Sequence, residues 1–456
     1  MIFIIDTLTD ASWASAPIVG GGPYGDSTYV RCSLRYFITA TNSPRIGLIA
    51  TTGVTSAATV LNADFGSWSL YGQTSGGKFI LKKNGINIRQ GSDNVVLMHF
   101  NSFTDSTLNE CEVEGLQLVI ESSGTTDLVR IIIDHYSGLW GTDSNFDIRN
   151  QNPDLRKIDS VFVYQSLFAQ PLKVISDYGC NNHSYNVACG LSYAFGESID
   201  PAKAIKSIVY FQNALAHSVA RNPLANGDIS WVNNIVYNPV SRATYLRNEG
   251  VTDGGGGWAT QPLSSNFNFV NNTYQKGRAT AAGTYPIRFG ESSTDTLGAT
   301  AQVYISGNVD DFSPVPVYTD SSHIDHIAST ARSSIDTYNL PVIGTDHLYD
   351  FLLPKVGASP LNRTTQETNI VNDIRDSTGT ASTDGTGIVN TVDGPSDVSV
   401  TGGYPLIVGV KNTFTFPANP NTLAANVLTN LENWIHTNFT LKVESTHDKA
   451  LILDTD

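Results

Sequence analysis

Short apolar runs of period two, broken by glycine, asparagine and aspartate, recur along most of this chain. From about residue 78 onward such runs predict β-strands, because alternation places one set of side chains on each face. The first rungs pair Ile86–Arg89 with Val95–Phe100, Leu116–Glu121 with Arg130–His135, and Phe146–Arg149 with Ser160–Tyr164. Ser207–Gln212, Ile229–Tyr237, Asn266–Tyr274 and Ala301–Val309 follow. A strand-plus-turn spacing roughly in the twenties to thirties predicts stacked coils that bury their inner faces against one another. That is the pattern of an all-β chain wound as a parallel β-helix. The asparagines of VNNIVYN (Val232–Asn238) and FVNNTY (Phe269–Tyr274) fall at one place in the repeat. Asparagine tolerates the left-handed backbone that a strand-to-strand bend needs, and stacked amides can bond along the coils. Their predicted role is structural.

The pattern changes near residue 360. Thr364-Thr365-Gln366-Glu367 reads as a capping box opening a helix through Asp376. A Ser/Thr/Gly/Asp-rich connector runs from Ser377 to Ser396, and Thr429-Asn430-Leu431-Glu432 predicts a second short helix to about His436. The expected organisation is a β-helix with an N-terminal cap over residues 1–360. Residues 361–456 then form an extension whose two short helices pack against it.

Composition supports this picture. Charged residues make up 15% of the 456, whereas 39 glycines, 19 tyrosines and 19 phenylalanines suit an all-β chain with tight turns. A net charge of −15 excludes a general nucleic-acid binder, which needs a basic surface. It leaves room for a polyanionic sugar held through a divalent cation and a few cleft cations, with Arg130, Arg149, Arg156, Lys157, Lys173 and Arg221 as candidates. The four cysteines (Cys32, Cys111, Cys180, Cys189) match no zinc spacing. Cys180 and Cys189 fit either a loop disulfide or two free buried thiols. No apolar run is long enough to span a membrane, and MIFII is too short for a signal-peptide core. A removed leader, or release by lysis as with virus tail proteins, are the two routes out of a cell that this allows.

The stretch IIIDHYSGLWGTDSNFDI (Ile131–Ile148) carries the clearest candidate chemistry. Three β-branched residues lead through Gly138 and Gly141 to Asp143 and Asp147, whose even spacing puts both side chains on one face of a strand. Hard carboxylate oxygens suit a hard cation such as calcium. A solvated turn is the alternative for such a pair in isolation.

The same stretch resembles the strand–turn segment of family 1 pectate lyases. Ser33-Leu34-Arg35-Tyr36-Phe37-Ile38 resembles their early helix start, and Pro44-Arg45-Ile46-Gly47-Leu48-Ile49 their first strand. RNPLANGDISWVNNIVYN (Arg221–Asn238) is similar to their catalytic-arginine segment, and the pieces from Val356, Asn372, Gly402 and Leu428 onward resemble their C-terminal part. The resemblance spans roughly residues 20–437 and implies a right-handed parallel β-helix that cleaves a uronate polymer by β-elimination. It also implies calcium held by Asp143, Asp147 and Glu114, with Glu112 the weaker candidate beside it. Arg221 would be the base, although an arginine ordinarily stays protonated, and chemistry then needs nearby cations or an acidified substrate proton. Lys173 in QPLKVISD matches a substrate-binding lysine with a share in catalysis, and His183 in NNHSYNVACG a cleft position. Where the family often carries a second arginine, this chain has Asn226, so Arg242 or Arg247 is expected to hold the substrate instead. His135 is expected to be packed rather than catalytic.

No paired-carboxylate hydrolase motif, GxSxG, HExxH or phosphate-binding loop is present. The expected activity is a calcium-dependent polysaccharide lyase on an acidic polysaccharide, extracellular or virion-associated. The alternative is a glycan-binding or structural phage tail protein that kept the fold and lost the chemistry; a homotrimer would suit that role.

Overall fold

The computed structural model describes residues 2–12, 14, 18–19, 28–41, 44–75, 79–104, 113–152, 155–175, 180–181, 184–191, 205–246, 265–289, 301–312, 318–319, 327–329, 340–382, 384–389, 407–408 and 440–441. Ile2–Thr7 starts the stack and pairs in parallel with Thr28–Ser33 and with Arg45–Ile49. The first strand therefore lies earlier than the Pro44–Ile49 segment expected to open the coil. Ser33 caps a short helix, α1 (Leu34–Thr39), by accepting from the Tyr36 N–H at 3.2 Å. Phe37 on that helix stands edge-on to Trp68, with ring centroids 6.0 Å apart, and closes the end of the core. The fully buried Arg45 donates to the Phe37 and Ile38 carbonyls at 3.1 Å, satisfying the last turn of the helix.

Ser92–Thr104 shows how each coil bends. Its first half pairs with Gly66–Tyr71 and its second with Phe79–Lys83. The bend falls at His99, whose φ is 52°. His135, Gln165, Gln212, Asn233 and Asn271 hold the same left-handed conformation at the same place in later coils. One position further on lies the ladder that the asparagine pairs predict. Asn213 N donates to Asn234 Oδ1 at 2.8 Å, Asn234 N to Asn272 Oδ1 at 2.8 Å, and Asn272 N to Asn308 Oδ1 at 2.9 Å. Each side chain thus satisfies a backbone donor that the bend removes from the strand ladder.

Inside the coils, Leu97, Ile133, Val163, Tyr210, Trp231 and Phe269 form one fully buried column. Among the described residues, a third face is a nine-stranded parallel sheet from Leu61–Ala63 through Ser144–Asn150 and Tyr185–Leu191 to Tyr318–Thr319. Phe146, Ile148, Val187 and Cys189 point inward from it, which leaves Asp147 and Arg149 on its outer surface. The chain is a parallel β-helix.

A second apolar cluster lies outside the coils. Here α2 (Leu348–Leu352) and α3 (Thr365–Asp376) pack against Leu139, Leu167, Ala214 and Ile235. The capping box is present as expected, and its Glu367 also accepts from Ser137 Oγ at 2.5 Å, tying α3 to a coil. Turns after Ser377 fold around Asp373, which accepts from Thr380 N and Ala381 N at 2.8 Å. The extension also holds an antiparallel strand pair, Ile407–Val408 with Thr440–Leu441, that no sequence pattern announced. The second expected helix, to His436, lies outside the described residues. Cys189 is a free thiol buried in the core, so it is not bonded to Cys180. Among the described residues no helix is long and apolar enough to cross a membrane.

Candidate functional site

The outer face of the nine-stranded sheet gathers three of the residues singled out from sequence, Asp143, Glu114 and Asp147. A tight turn delivers the first of them: a Cβ on Gly141 would lie 2.2 Å from the Ser144 carbonyl, so only glycine lets the chain swing Asp143 into place. Thr142 N donates to Val113 O, and Val113 N to Thr142 Oγ1, both at 3.0 Å. That reciprocal pair brings Glu114 beside Asp143. Asp147, the fourth residue of the Ser144–Asn150 strand, leaves it on the same face.

The three carboxylates are nearly buried, at 9% exposure for Glu114, 6% for Asp143 and 2% for Asp147. They share one guanidinium. Arg149 lies 3.2 Å from Asp147 through Nε, and 3.8 and 3.9 Å from Asp143 and Glu114 through Nη2. Gln117 Nε2 donates to Asp147 Oδ2 at 3.2 Å. Burial, then the charges of Asp147 and Asp143, push the Glu114 carboxyl well above the usual carboxylate range against the pull of Arg149. Burial also raises Asp147, opposed by Arg149 and Arg221. Three acidic groups thus crowd around the Arg149 guanidinium, with the Arg221 charge acting on Asp147 as well.

Among the described residues, no group of three His, Cys, Asp or Glu side chains is placed to hold a metal ion. The donor atoms themselves are carboxylate oxygens, the hard type that calcium takes. Glu114, Asp143 and Asp147 are the residues that would hold the ion.

Arg221 lies two coils on. Tyr185 is the register partner of Ser144 and bridges to Ala220, while Val187 N donates to the Arg221 carbonyl at 3.0 Å. The guanidinium carbon sits 3.7 Å from the centroid of the Tyr185 ring. Next to it ends a second amide ladder: Asn145 Nδ2 donates to Asn186 Oδ1 at 2.9 Å, and Asn186 Nδ2 to Asn222 Oδ1 at 2.8 Å. The ladder ties the backbone beside Arg221 to the turn that carries Asp143.

Other candidates fall at the margins. Lys173 follows Leu172, whose N–H donates to Gly141 O at 2.9 Å, and its own N–H bonds Val389 O at 3.0 Å. Arg242 lies over the Tyr245 ring at 5.3 Å. Asn226 is buried, its side chain accepting from Ser265 Oγ at 3.3 Å, so it fills a structural place. His183, Arg247 and Glu112 lie outside the described residues. His135 stacks on His99 with centroids 4.5 Å apart and, as expected, is packed. Arg130 pairs with Asp93, and Lys157 with Asp159 at 3.1 Å; neither touches the pocket.

Sequence reasoning missed the arrangement around Arg149, though the alternation Asp147-x-Arg149 already placed both on one face. It also missed a track: Gln117, Asp147, Ala188, Leu224, Tyr245 and Arg288 are successive register partners down the sheet's outer surface. The Ile287-Arg288-Phe289 alternation carried that signal.

No family model matches the chain, and no curated protein is similar to it in sequence. Among solved structures it is similar to a pectate lyase from Bacillus sp. N165 in complex with trigalacturonate, at 12% identity and TM-score 0.47, covering 78% of this chain and 93% of that one. A pectate lyase from Paenibacillus sp. 0602 gives 12% identity and TM-score 0.42, with coverages of 73% and 91%. A pectate lyase bound to hexasaccharide gives 13%, 0.40, 67% and 70%. Likeness this distant transfers no residue role. The fold rests on the chain's own strand pairing, and the chemistry on its own side chains.

Proposed function

We propose that this chain is a polysaccharide lyase that cleaves a uronate polymer by calcium-assisted β-elimination, the polymer lying along the outer face of the nine-stranded sheet. One observation supports the reading above others: Glu114, Asp143 and Asp147 share one pocket, and the charge of Arg221, distant in the sequence, acts on Asp147. Bound calcium would supply positive charge for a uronate carboxylate and so acidify the neighbouring C5 proton.

The chain's own groups do the rest. Arg221, as the neutral guanidine, takes the C5 proton and becomes guanidinium, and the glycosidic oxygen departs from C4 as the C4–C5 double bond forms. The electron pair of the broken C–H bond becomes that double bond, and the leaving oxygen is protonated from solvent. Tyr185 fixes the plane of the guanidinium, and the Asn145–Asn186–Asn222 ladder fixes the backbone beneath it. Lys173, Arg242 and Arg288 would meet further carboxylates along the polymer, each outside the carboxylate pocket.

The test is ultraviolet absorbance of unsaturated uronate products on a panel of acidic polysaccharides, with calcium or EDTA and with Arg221→Ala beside the wild type. An absorbance rise that needs both calcium and Arg221 is expected. Glycan binding with no absorbance on any substrate would replace this reading with that of an adsorption protein.

A further inference from the structure

Gln170 is fully buried, and its side-chain amide joins the outer layer to the turn that carries Asp143. Its Oε1 accepts from Gln366 of α3 and from Trp140 Nε1, the latter at 3.4 Å. Its Nε2 donates to the carbonyls of Ala381 at 2.9 Å and Gly387 at 3.1 Å. Two donors and two lone pairs are thus all used. Trp140 directly precedes Gly141, the glycine on which the Asp143 turn depends. A second link runs beside the first. Lys173 N donates to Val389 O at 3.0 Å, and Leu172 N, one residue earlier, to Gly141 O at 2.9 Å. Gly141 N donates to Asn145 Oδ1 at 2.9 Å, so both backbone groups of that glycine are held.

The same outer segment has anchors of its own, away from the turn. Ala381 N donates to Asp373 of α3 at 2.8 Å, and Asn238 Nδ2 to the Thr386 carbonyl at 2.6 Å. Gly387, with a φ of 83°, passes so close to His217 that a Cβ there would lie 1.9 Å from Nδ1. Only glycine allows that approach. We propose that residues 384–389, with Ala381, form a strap that positions the catalytic face, Gln170 passing its hold to Trp140 and Val389 passing its own to Lys173. The inference rests on the reading of Asp143, Lys173 and Arg221 as the site. Gln170 is a positioning residue, since it acts through Trp140. Displacing the strap strands the Nε2 donors in the core, and the amide must turn from Trp140 to find partners. The Asp143 turn and Lys173 then shift relative to Arg221.

The experiment is hydrogen–deuterium exchange of the full chain, read on peptides covering residues 139–145 and 384–389, with kcat, KM and Tm measured alongside. Wild type is compared with two variants. Gly387→Ala pushes the strap off from its His217 side, and Gln170→Met keeps the side-chain length without the amide. In both, the turn peptide should exchange about tenfold faster or more. At a temperature well below each Tm, kcat should fall about ten- to a hundredfold, with KM changing less. A lower Tm and faster strap exchange, with the turn peptide and kcat as in wild type, would show a purely structural role and overturn the proposal. Should neither variant fold, exchange of the wild type at rising urea decides the matter. The turn is expected to open no later than the strap, and a turn still protected after the strap has opened overturns the proposal. A wild type inactive on every polymer overturns the lyase reading instead, and the exchange rates still decide whether the strap holds the turn.

Discussion

Tyr185 lies under Arg221 with its ring centroid 3.7 Å from the guanidinium carbon, a geometry that fixes the plane of a group with five donors. A proton acceptor placed about 1 Å off line loses as much as a hundredfold in rate. Tyr185→Leu keeps bulk but removes the π face, so kcat should fall about ten- to a hundredfold with KM little changed. Tyr185→Phe keeps the face and should stay close to wild type. Initial-rate kinetics on whichever polymer the substrate panel identifies separates the two. A drop in both variants would mean that the hydroxyl, not the ring, is what matters. The aromatic was visible in NNHSYNVACG, but its place was not. Only the register Ser144–Tyr185 and the Tyr185–Ala220 bridge put it beneath Arg221.

At the scale of elements, the bends carry stability that strands alone do not supply. Asn234 is fully buried: its Oδ1 accepts from Asn213 N and Nδ2, and its Nδ2 donates to Tyr210 O at 3.0 Å. Asn234→Ala strands a buried donor on the neighbouring coil and should cost about 1–3 kcal/mol. A fall in the urea midpoint checks it, and an unchanged midpoint would show the ladder to be ornamental. Glu367 makes a parallel case in the outer layer. It accepts from Thr364 N at 2.9 Å, Thr364 Oγ1 at 3.0 Å and Ser137 Oγ at 2.5 Å while fully buried. Glu367→Ala should free α3 from the coil and speed proteolysis within residues 377–389 relative to wild type. The asparagine pairs and the capping box were legible because each motif answers a local backbone need. The bend at His99 and His135 was not, since histidine takes the left-handed conformation here only because the coils around it demand it. The carboxylate residues were legible one by one. Their sharing of Arg149 depends on a turn, a register and a reciprocal hydrogen-bond pair that span three segments.

For the molecule as a whole, two buried histidines join the coils to the outer layer, and both make the fold sensitive to acid. His99 bonds Ala358 O through Nδ1 at 2.8 Å, and His217 Nε2 lies 3.2 Å from Asp373. Burial, reinforced by the charge of His135 and opposed by Asp134, lowers the His99 pKa to about 3; burial lowers His217 as well, against the pull of Asp373. A depressed histidine stays neutral in the folded chain while the unfolded chain takes up a proton below its ordinary value of 6.5. The stability it contributes is complete above that pH and drains away as pH falls from 6.5 toward 3. The buried carboxylates Glu114 and Asp147, raised rather than lowered, push the other way. A difference between variants therefore isolates the histidine. Gln165 and Gln212 occupy the His99 position in later coils with φ of 43° and 56°, so glutamine fits that bend and can donate to Ala358 O. His99→Gln should lose less thermal stability than wild type between pH 7 and pH 4.5, measured as the change in Tm across that range. The two proteins should differ least near pH 7, where His99 is neutral in both the folded and the unfolded chain. Parallel Tm curves for the two would mean that His99 is protonated inside the fold, and would shift the acid sensitivity to His217 and its contact with the C-terminal layer.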